Sequence, residues 1–557
     1  MTNLKMLCIS GMLAIAAAGY AQEDNKITVN GSVQSDVLIP ESDKETDAKK
    51  GPHWANTNTF ADIHAQNKWF EAGARFEFLR FPMPGFNDDP ETGYDGWGVP
   101  NFYLKGKLDW GELTVGTFYE QFGSGFILRT YEERNLGIDN SIMGAHLVLR
   151  PLDGVTVKAL SGKQRKYWAH NDAWVSGSDV ELSLDRWFKG LEKSNTYLTL
   201  GASWVNKHEK DDGDPILVTK DKTNYKLKLP ENVNAFDVRT RLQKGGFNLL
   251  AEYAWKTEDP SFDNNYIYRK GNVAMLSTSY SQKGMSILLQ AKRSEDMSFR
   301  SSRNQKGRSS FINHLPAFTM DNTYALAALY PYGTQLAEGE WAYQASFGYN
   351  FKRKTFLGGK YGTKINVNFS HVRAIDKNYG EGNVGKGTKG YGSAFWKWGD
   401  EGMYYQDFNV KIDKKFSKLF KLSFTYMNQF ANEKVVHSEN GNIRANIFIA
   451  DGTFKLNKKL TLRTEAQYLN TDDDLGDWVF GLVELSFLPH FMFTVSDMYN
   501  SGVTNTHYYN GFVTYNAGAH RIQLGYSRTR AGINCSGGVC RYVPAYKGFT
   551  MSYNFNF

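Results

Sequence analysis

The chain ends in Ser552-Tyr553-Asn554-Phe555-Asn556-Phe557, where aromatic and polar residues alternate. Successive side chains of a strand point to opposite faces, so one face carries Phe549, Met551, Tyr553, Phe555 and Phe557. The other face carries Thr550, Ser552, Asn554 and Asn556. A soluble domain rarely ends on an exposed aromatic strand, because the unpaired edge invites aggregation. The alternation therefore predicts the closing strand of a transmembrane β-barrel, whose outer face is apolar and whose edges are paired.

The first 21 residues have the features of a secretory signal peptide. Lys5 precedes an apolar run from Met6 to Ala18, and Gly19-Tyr20-Ala21 offers small residues for cleavage. After residue 21, no apolar run approaches the roughly 18 residues that a membrane helix needs. We therefore expect an exported protein with a cleaved signal peptide at 1–21 and one transmembrane β-barrel at 22–557.

Composition agrees with a barrel and argues against several other classes. Aromatic residues make up 15% of the chain and Gly contributes 53 of 557 residues, although the mean hydropathy is −0.49. A soluble protein this polar would carry fewer aromatics, whereas a barrel needs aromatic girdles at both interfaces. The net charge of +7 is modest and not clustered, so nucleic acid is not an expected partner. A positive net charge of this size is compatible with binding of an anionic solute or lipid head group. It is equally compatible with a lumen and loops that carry charges of both signs.

Strand-length segments of period two recur along the chain. In Leu460–Tyr468, for example, apolar residues alternate with Thr461, Arg463, Glu465 and Gln467. Tight connections such as Trp110-Gly111-Glu112 alternate with long polar ones such as 207–233. The count predicts an all-β fold, a single closed antiparallel barrel of about 24 strands (range about 22–26), with short periplasmic turns and long extracellular loops.

The first strand is predicted to begin by Ile27, soon after the signal peptide. This leaves no room for an N-terminal plug domain and disfavours a TonB-dependent transporter. Any gate is therefore expected to come from internal loops.

The loop 122–140 is the first candidate to fold inward. Gly123 and Gly125 permit a sharp bend away from the wall. The charges that follow would place both signs at a channel constriction, with a transverse field that sets selectivity; they are Arg129, Glu132, Glu133, Arg134 and Asp139. The alternative is a short solvent-facing helix paired internally.

The connection 296–340 is the longest in the chain. It begins with basic residues and becomes apolar at 315–318 and 324–332. An apolar stretch of this kind is not expected to be freely solvated. It packs into the lumen, docks on another envelope protein, or hides a further hairpin; these alternatives stay open.

Strand parity assigns ten charged side chains to the lumen. They are Arg75, Glu77, Lys105, Lys107, Lys158, Lys292, Lys364, Arg463, Glu465 and Arg521. They form a face of the wall; a role as a selectivity filter is a further hypothesis, because lumen charges often pair across strands.

Cys535 and Cys540 are the two cysteines beyond the signal peptide, and an exported location favours a disulfide between them. A metal site is not expected, since nearby His or Cys ligands are absent from the sequence. No motif singles out a catalytic nucleophile and base, so neither an enzyme nor a cofactor is predicted.

The whole chain resembles the large porin-like outer-membrane barrels of Bacteroidota, a group without an established substrate. The resemblance rests on Ala21-Gln22, on Tyr119–Gly125 leading to Tyr131-Glu132-Glu133-Arg134, and on the terminal Phe557. The last strand, with Tyr553, Phe555 and Phe557, is similar to those that the barrel-assembly machinery reads. The resemblance implies integral insertion in Gram-negative outer-membrane lipid.

Two functions remain open from the sequence. The first is a porin-like channel for polar solutes, narrowed by inward loops. The second is a plugged structural barrel that scaffolds other envelope proteins, with 296–340 as the docking element.

Overall fold

The computed structural model describes residues 26–86, 93–220, 222–320, 322–333, 339–436, 441–536 and 539–557. The predicted signal peptide, residues 1–21, lies outside the described residues. Within them, the chain forms one closed antiparallel barrel of 24 strands. The predicted fold class and strand number are confirmed.

The barrel strands follow one another around the wall in chain order, beginning at Thr28. They are β1 (Thr28–Glu41), β2 (Asn56–Gln66), β3 (Phe70–Leu79), β4 (Gly96–Leu108), β5 (Gly111–Phe118), β6 (Ile142–Leu149), β7 (Val155–Lys166), β8 (Ala169–Ser183), β9 (Thr196–His208), β10 (Asn232–Lys244), β11 (Phe247–Lys256), β12 (Gly271–Gln282), β13 (Met285–Glu295), β14 (Glu340–Phe351), β15 (Thr363–Ile375), β16 (Trp398–Lys415), β17 (Phe420–Asn432), β18 (Asn442–Lys455), β19 (Leu460–Asn470), β20 (Trp478–Phe487), β21 (Phe491–Asn500), β22 (His507–Ala517), β23 (His520–Arg528) and β24 (Lys547–Asn556).

The barrel closes where the last strand pairs with the first. β24 runs antiparallel to β1, in a register that joins Ser32 to Asn556 and Glu41 to Lys547. Beyond the strand end, the backbone of Phe557 exchanges two hydrogen bonds of 3.0 Å with Gly31. We call the pairing of β1 with β24 the seam. Closure leaves no unpaired edge, which a lipid environment requires.

The outer face of the wall is an apolar belt. Large apolar side chains such as Val115 on β5 and Val495 on β21 are 56% and 64% exposed. Aromatic residues flank the belt at both ends. Trp69, Trp110 and Trp187 lie at the short-turn end, and Trp97, Trp174 and Trp255 lie at the long-loop end. This distribution is that of a barrel whose middle lies in hydrocarbon.

Helices are short and peripheral. The described residues include α-helices at Lys189–Lys193 and Glu433–Val436, and 3-10 turns at Arg134–Leu136, Leu184–Arg186 and Phe262–Asn264. None of the helices in this part of the chain has the length and hydropathy to cross a bilayer. Small hairpins decorate the long loops: Glu132–Glu133 with Ile138–Asp139, Leu217–Lys220 with Thr223–Lys226, Asn378–Tyr379 with Tyr391–Gly392, and Gly532–Ser536 with Val539–Val543.

Two long loops fold into the barrel, and we call them the first inward loop (residues 119–141) and the second inward loop (the described part of residues 296–339). Their apolar side chains, including Phe126 and Leu315, share one buried cluster with wall residues from Ile142 on β6 to Trp478 on β20. The described residues contain no separate plug domain, and the lumen is narrowed by these loops.

Candidate channel lining

The first inward loop is held to the wall by a buried ion-pair network. Arg165 on β7 contacts Asp139 at 2.6 Å and Glu77 on β3 at 2.7 Å. Arg75 on β3 contacts Asp62 on β2 at 2.8 Å and Glu132 of the loop at 2.7 Å. Carboxylates and guanidinium groups alternate, so each charge has an opposite neighbour. Such pairing is what makes charges tolerable in a dry site.

The remaining contacts of the network come from the loop itself. Arg134 reaches back to Asp62 and across to Glu132, each at 2.8 Å. The hydroxyl of Tyr119 donates to Asp139 at 3.0 Å. Burial would raise the pKa of the Asp139 carboxyl, but Arg165 and Arg75 hold it below its ordinary value. Burial raises the pKa of Glu132, against the opposing effect of Arg75.

The five residues predicted to form a constriction do not act as one set. Glu132, Arg134 and Asp139 lie together in the wall network. Arg129 lies apart, with its guanidinium carbon 4.8 Å from the ring centroid of Tyr131. Glu133 accepts a hydrogen bond from the backbone of Asn135. Charges of both signs, which the sequence predicts at a constriction, are here paired with one another and with the wall at one side of the lumen.

Apolar packing fixes the tip of the first inward loop. Phe122, Phe126, Ile127 and Leu128 are almost fully buried. Gly123 and Gly125 adopt positive φ angles of 53° and 95°, which bend the chain inward. The segment 122–140 is therefore not a solvent-facing helix; its helical part is the 3-10 turn Arg134–Leu136, in which Leu136 is buried.

The second inward loop packs directly on the first. Arg129 donates its backbone N–H to the carbonyl of Ile312 at 2.8 Å, and His314 donates to Gly125 at 3.0 Å. The side-chain amide of Asn313 donates to the carbonyl of Phe126 at 2.9 Å. The two loops therefore form one body inside the barrel.

Wall residues on several strands hold the second inward loop. Lys292 on β13 donates to the carbonyl of Pro316 at 2.6 Å, and Gln467 on β19 accepts from the backbone of Leu326 at 2.9 Å. Arg303 of the loop pairs with Glu209 at 3.0 Å. Leu315, Phe318 and Leu326 are buried, so the apolar stretches of this loop face the lumen.

A polar cavity lies between the first inward loop and the wall beside the seam. This seam cavity has a volume of about 460 Å³ and lies between Arg134 and Asn135 of the first inward loop and the inner faces of β1, β23 and β24. The wall contributes polar side chains, among them Gln34, Asp36, Arg521, Gln523, Ser552 and Asn554. Here the lumen is lined by hydrogen-bonding groups, whereas the opposite side is filled by the apolar cluster.

A second cavity adjoins the seam cavity on the side of the external loops. It has a volume of about 280 Å³, and Met83, Arg541 and Tyr546 line both cavities. We call it the mouth cavity. Arg541 belongs to the hairpin Gly532–Ser536 with Val539–Val543, in which Cys535 and Cys540 form a disulfide. The predicted disulfide is confirmed; the turn at Gly537-Gly538 lies outside the described residues.

Positive charge predominates along the two cavities. Arg521 is exposed and has no hydrogen bond or ion pair within the described residues. Arg530 donates to the carbonyl oxygens of Ala531 and Leu329, at 3.1 and 3.4 Å. Among the described residues that line the seam cavity, Asp36 is the one acidic side chain. The lining should therefore attract small anions more than cations.

The ten side chains assigned to the lumen all have inward parity in the observed registers. Arg75, Glu77 and Lys292 are buried against the loops, and Lys158 pairs with Glu120 of the first inward loop at 2.9 Å. Arg463 pairs with Asp451 at 3.1 Å, and Lys107 pairs with Glu71 at 2.9 Å. The others are Lys105, Lys364, Glu465 and Arg521. Arg521 is the member that lines the seam cavity.

Several lining residues were not foreseen. Asp62 and Arg165 complete the wall network, and Arg530 and Arg541 line the mouth cavity. Inward parity could have identified Asp62 and Arg165. Nothing in the sequence distinguishes them from other lumen charges, because their partners lie on distant strands.

Comparison with known proteins gives matches of architecture. The P pilus usher translocation pore (PapC) matches with a TM-score of 0.44 at 10% identity, covering 95% of this chain and 99% of that one. The siderophore receptor PirA from Pseudomonas aeruginosa matches with a TM-score of 0.42 at 8% identity, covering 95% of this chain and 80% of that one. OccAB3 from Acinetobacter baumannii matches with a TM-score of 0.35 at 6% identity, covering 95% of this chain and 99% of that one. No curated protein matches the chain. The model of one family, of unknown function, matches residues 2–557.

Proposed function

Because the chain belongs to the family of unknown function DUF6029, we propose its role from its own geometry. It is an integral outer-membrane channel through which small polar solutes pass beside the seam, between the wall and the inward loops.

The observation that carries this proposal is that the two cavities are adjacent and share part of their lining. The mouth cavity opens among the external loops and shares Arg541, Met83 and Tyr546 with the seam cavity. The seam cavity continues onto β1, β23 and β24, whose inward side chains are polar. A solute moving along this path exchanges hydrogen bonds with water for hydrogen bonds with the wall.

The charge of the lining supports a preference for anions. Arg521 and Arg530 lack carboxylate partners within the described residues, and Asp36 offsets one positive charge. Arg134 lies at the border of the seam cavity but is neutralised by Asp62 and Glu132. The preference should therefore be moderate.

The apolar belt supports the membrane location. Exposed Val, Leu and Phe side chains on the middle of the wall would be costly in water, at about 25 cal/mol for each Å² of apolar surface. Aromatic residues at both ends suit the two interfaces. An outer-membrane barrel with periplasmic short turns accounts for both features.

A plugged scaffold is the second candidate, and the apolar cluster favours it. The inward loops contact wall residues from β6 to β20, which closes most of the lumen. In this case, partners would bind other parts of the external loops, since Leu315, Phe318 and Leu326 are buried inside.

Single-channel recording of the purified barrel in planar bilayers tests the proposal. We expect discrete conductance steps with a reversal potential that indicates moderate anion preference. If no steps appear at any voltage, and another envelope protein co-purifies in stoichiometric amount, the scaffold is the correct function.

A further inference from the structure

A third charged cavity lies on the outside of the barrel, at the external rim of β11–β15. This rim cavity has a volume of about 360 Å³. The side chains that matter for its chemistry are Arg269, Lys270, Arg293, Glu295, Ser393 and Phe395. The barrel wall separates it from the lumen, so it takes no part in the proposed solute path.

The position of the rim cavity relative to the apolar belt follows from strand parity. On β13, Arg293 has the same outward parity as Leu289, which is half exposed on the belt. Four residues of a strand span about 13 Å, so Arg293 lies above the belt, toward the long loops. Tyr253, also outward-facing and exposed, lines the same cavity. Trp255, one of the exposed aromatic residues at the long-loop end, lies at the same end of β11, so we expect the head groups of the outer leaflet at this level.

Positive charge exceeds negative charge in the rim cavity. Its lining contains three cationic side chains and one carboxylate, Glu295. Glu295 is shared, because it pairs with Arg293 at 2.7 Å and also with Arg269. Lys270 is exposed and has no hydrogen bond or ion pair in the part of the chain that the structure describes. One carboxylate cannot neutralise the three cations, so the lining has a net positive charge that should attract an anion.

Each of the two arginines also has a buried guanidinium donor without a partner. Arg293 is 1% exposed and donates to Ser393 Oγ at 2.6 Å, yet its Nε has no hydrogen-bond partner. The Nε of Arg269 is likewise buried without a partner. Unsatisfied buried donors are costly, and a phosphate oxygen is a strong acceptor for guanidinium groups.

Aromatic rings extend the cationic site along the membrane surface. Arg293 pairs in register with Trp341 on β14, which pairs in turn with Arg373 on β15. Arg373 lies 4.0 Å from the ring centroid of Trp398, and Arg293 lies 4.8 Å from that of Phe395. Exposed aromatic rings at an interface contact both head groups and the upper parts of acyl chains.

We propose that the rim cavity binds the phosphorylated head group of an outer-leaflet lipid. Arg269, Lys270 and Arg293 contact the phosphate, Arg373 lies next along the rim, and the aromatic residues contact the adjoining chain. A lipid fits better than a free anion, because the cavity lies beside the apolar belt and carries aromatic surface that a free anion would not use.

Native mass spectrometry of the detergent-solubilised barrel, titrated with diphosphoryl lipid A, tests this site. Lys270→Gln and Arg373→Gln should each weaken binding about fivefold, the effect of one basic residue near a charged lipid surface. The matched control is Lys68→Gln, because Lys68 lies 5.0 Å from the Trp69 ring at the opposite rim. It should leave binding unchanged. Heat-modifiable electrophoretic mobility verifies that each variant is folded.

Two further measurements distinguish binding of a lipid phosphate from binding of free inorganic phosphate. Dephosphorylated lipid A should bind at least fivefold more weakly than the diphosphoryl form. Millimolar inorganic phosphate should not displace the lipid. The proposal is overturned if Lys68→Gln weakens binding as much as Lys270→Gln, if the dephosphorylated lipid binds equally, or if inorganic phosphate competes fully.

Discussion

Arg165 and Asp139 join the barrel wall to the first inward loop through a contact of 2.6 Å between buried side chains. The same guanidinium group contacts Glu77, so Arg165 links the loop with two separate strands of the wall. Neither residue lines the seam cavity. They nevertheless belong to the network that holds Arg134, which does line that cavity.

Asp139→Asn should loosen the first inward loop. The change leaves Arg165 and Arg75 buried with one fewer carboxylate, a loss that typically costs about 3–5 kcal/mol. We expect noisier and larger conductance steps in planar bilayers and a lower unfolding temperature. Glu112→Gln removes half of an exposed pair with Arg150 at the short-turn end and serves as the control. Identical conductance in Asp139→Asn and the wild type would contradict the idea that Asp139 holds the first inward loop in place.

Arg521→Glu should reverse or abolish the anion preference. Arg521 lines the seam cavity without a charged partner in the described residues, so its replacement changes the lining by two charges. The measurement is the reversal potential in a salt gradient. Lys189→Glu makes the same change of charge on the peripheral helix Lys189–Lys193 and should leave selectivity unaltered. Equal shifts in both variants would mean that selectivity does not arise at the seam.

Reduction of Cys535–Cys540 should affect the mouth cavity more than the barrel. The disulfide closes the hairpin that carries Arg541, and a loop this short is restrained by about 2 kcal/mol. We expect more frequent current fluctuations after reduction, with an unchanged unfolding temperature. Cys535→Ser with Cys540→Ser should reproduce this behaviour. A large fall in the unfolding temperature would show that the hairpin stabilises the whole wall.

The stability of the second inward loop should depend on pH through Asp296. Burial raises the pKa of this carboxyl to about 7, from an ordinary value near 3.8. The native state therefore holds a proton that the unfolded chain releases, and stability from this group falls as pH rises from about 4 to about 7.

Asp296→Asn removes this dependence, because the amide stays neutral. The variant should gain thermal stability relative to the wild type when pH is raised from 5 to 8. Thermal unfolding at the two pH values gives the comparison. The role of Asp296 is contradicted if the difference in unfolding temperature between variant and wild type is the same at both pH values.

Gly31→Val should impair closure of the barrel. A Cβ at Gly31 would lie 2.5 Å from the Phe557 ring and 2.5 Å from the backbone oxygen of Asp62. The folded fraction, measured by heat-modifiable mobility after refolding, should fall. Gly511→Val is the control, since a Cβ at that position on β22 meets no atom within 4 Å. Normal folding of both variants would show that the seam tolerates displacement of Phe557.

The sequence was sufficient for the wall but not for the lumen. The strand number and the inward parity of residues such as Arg463 follow from a period of two, which every strand of a barrel must obey. Gly123 and Gly125 also predicted a bend of the chain away from the wall, and both adopt positive φ angles.

The pairing of the loop charges could not be predicted in the same way. Glu132 and Asp139 meet Arg75 and Arg165, which lie far away in sequence and come close only when the barrel closes. A polar residue on an inward face looks the same whether it contacts water or a buried partner. The seam cavity was not foreseen for the same reason, since its lining comes from strands at both ends of the chain and from loops that meet only in the closed barrel.

The seam has a consequence for when the proposed solute path can form. The seam cavity is walled by β1, β23 and β24, strands from the two ends of the chain, whereas the apolar cluster is made by strands of its middle. The wall of this cavity is therefore complete only after the first and last strands have paired, whereas the apolar cluster does not require that pairing. In the proposed channel, a barrel that stalls before the seam closes would have the obstructing loops in place without a finished path.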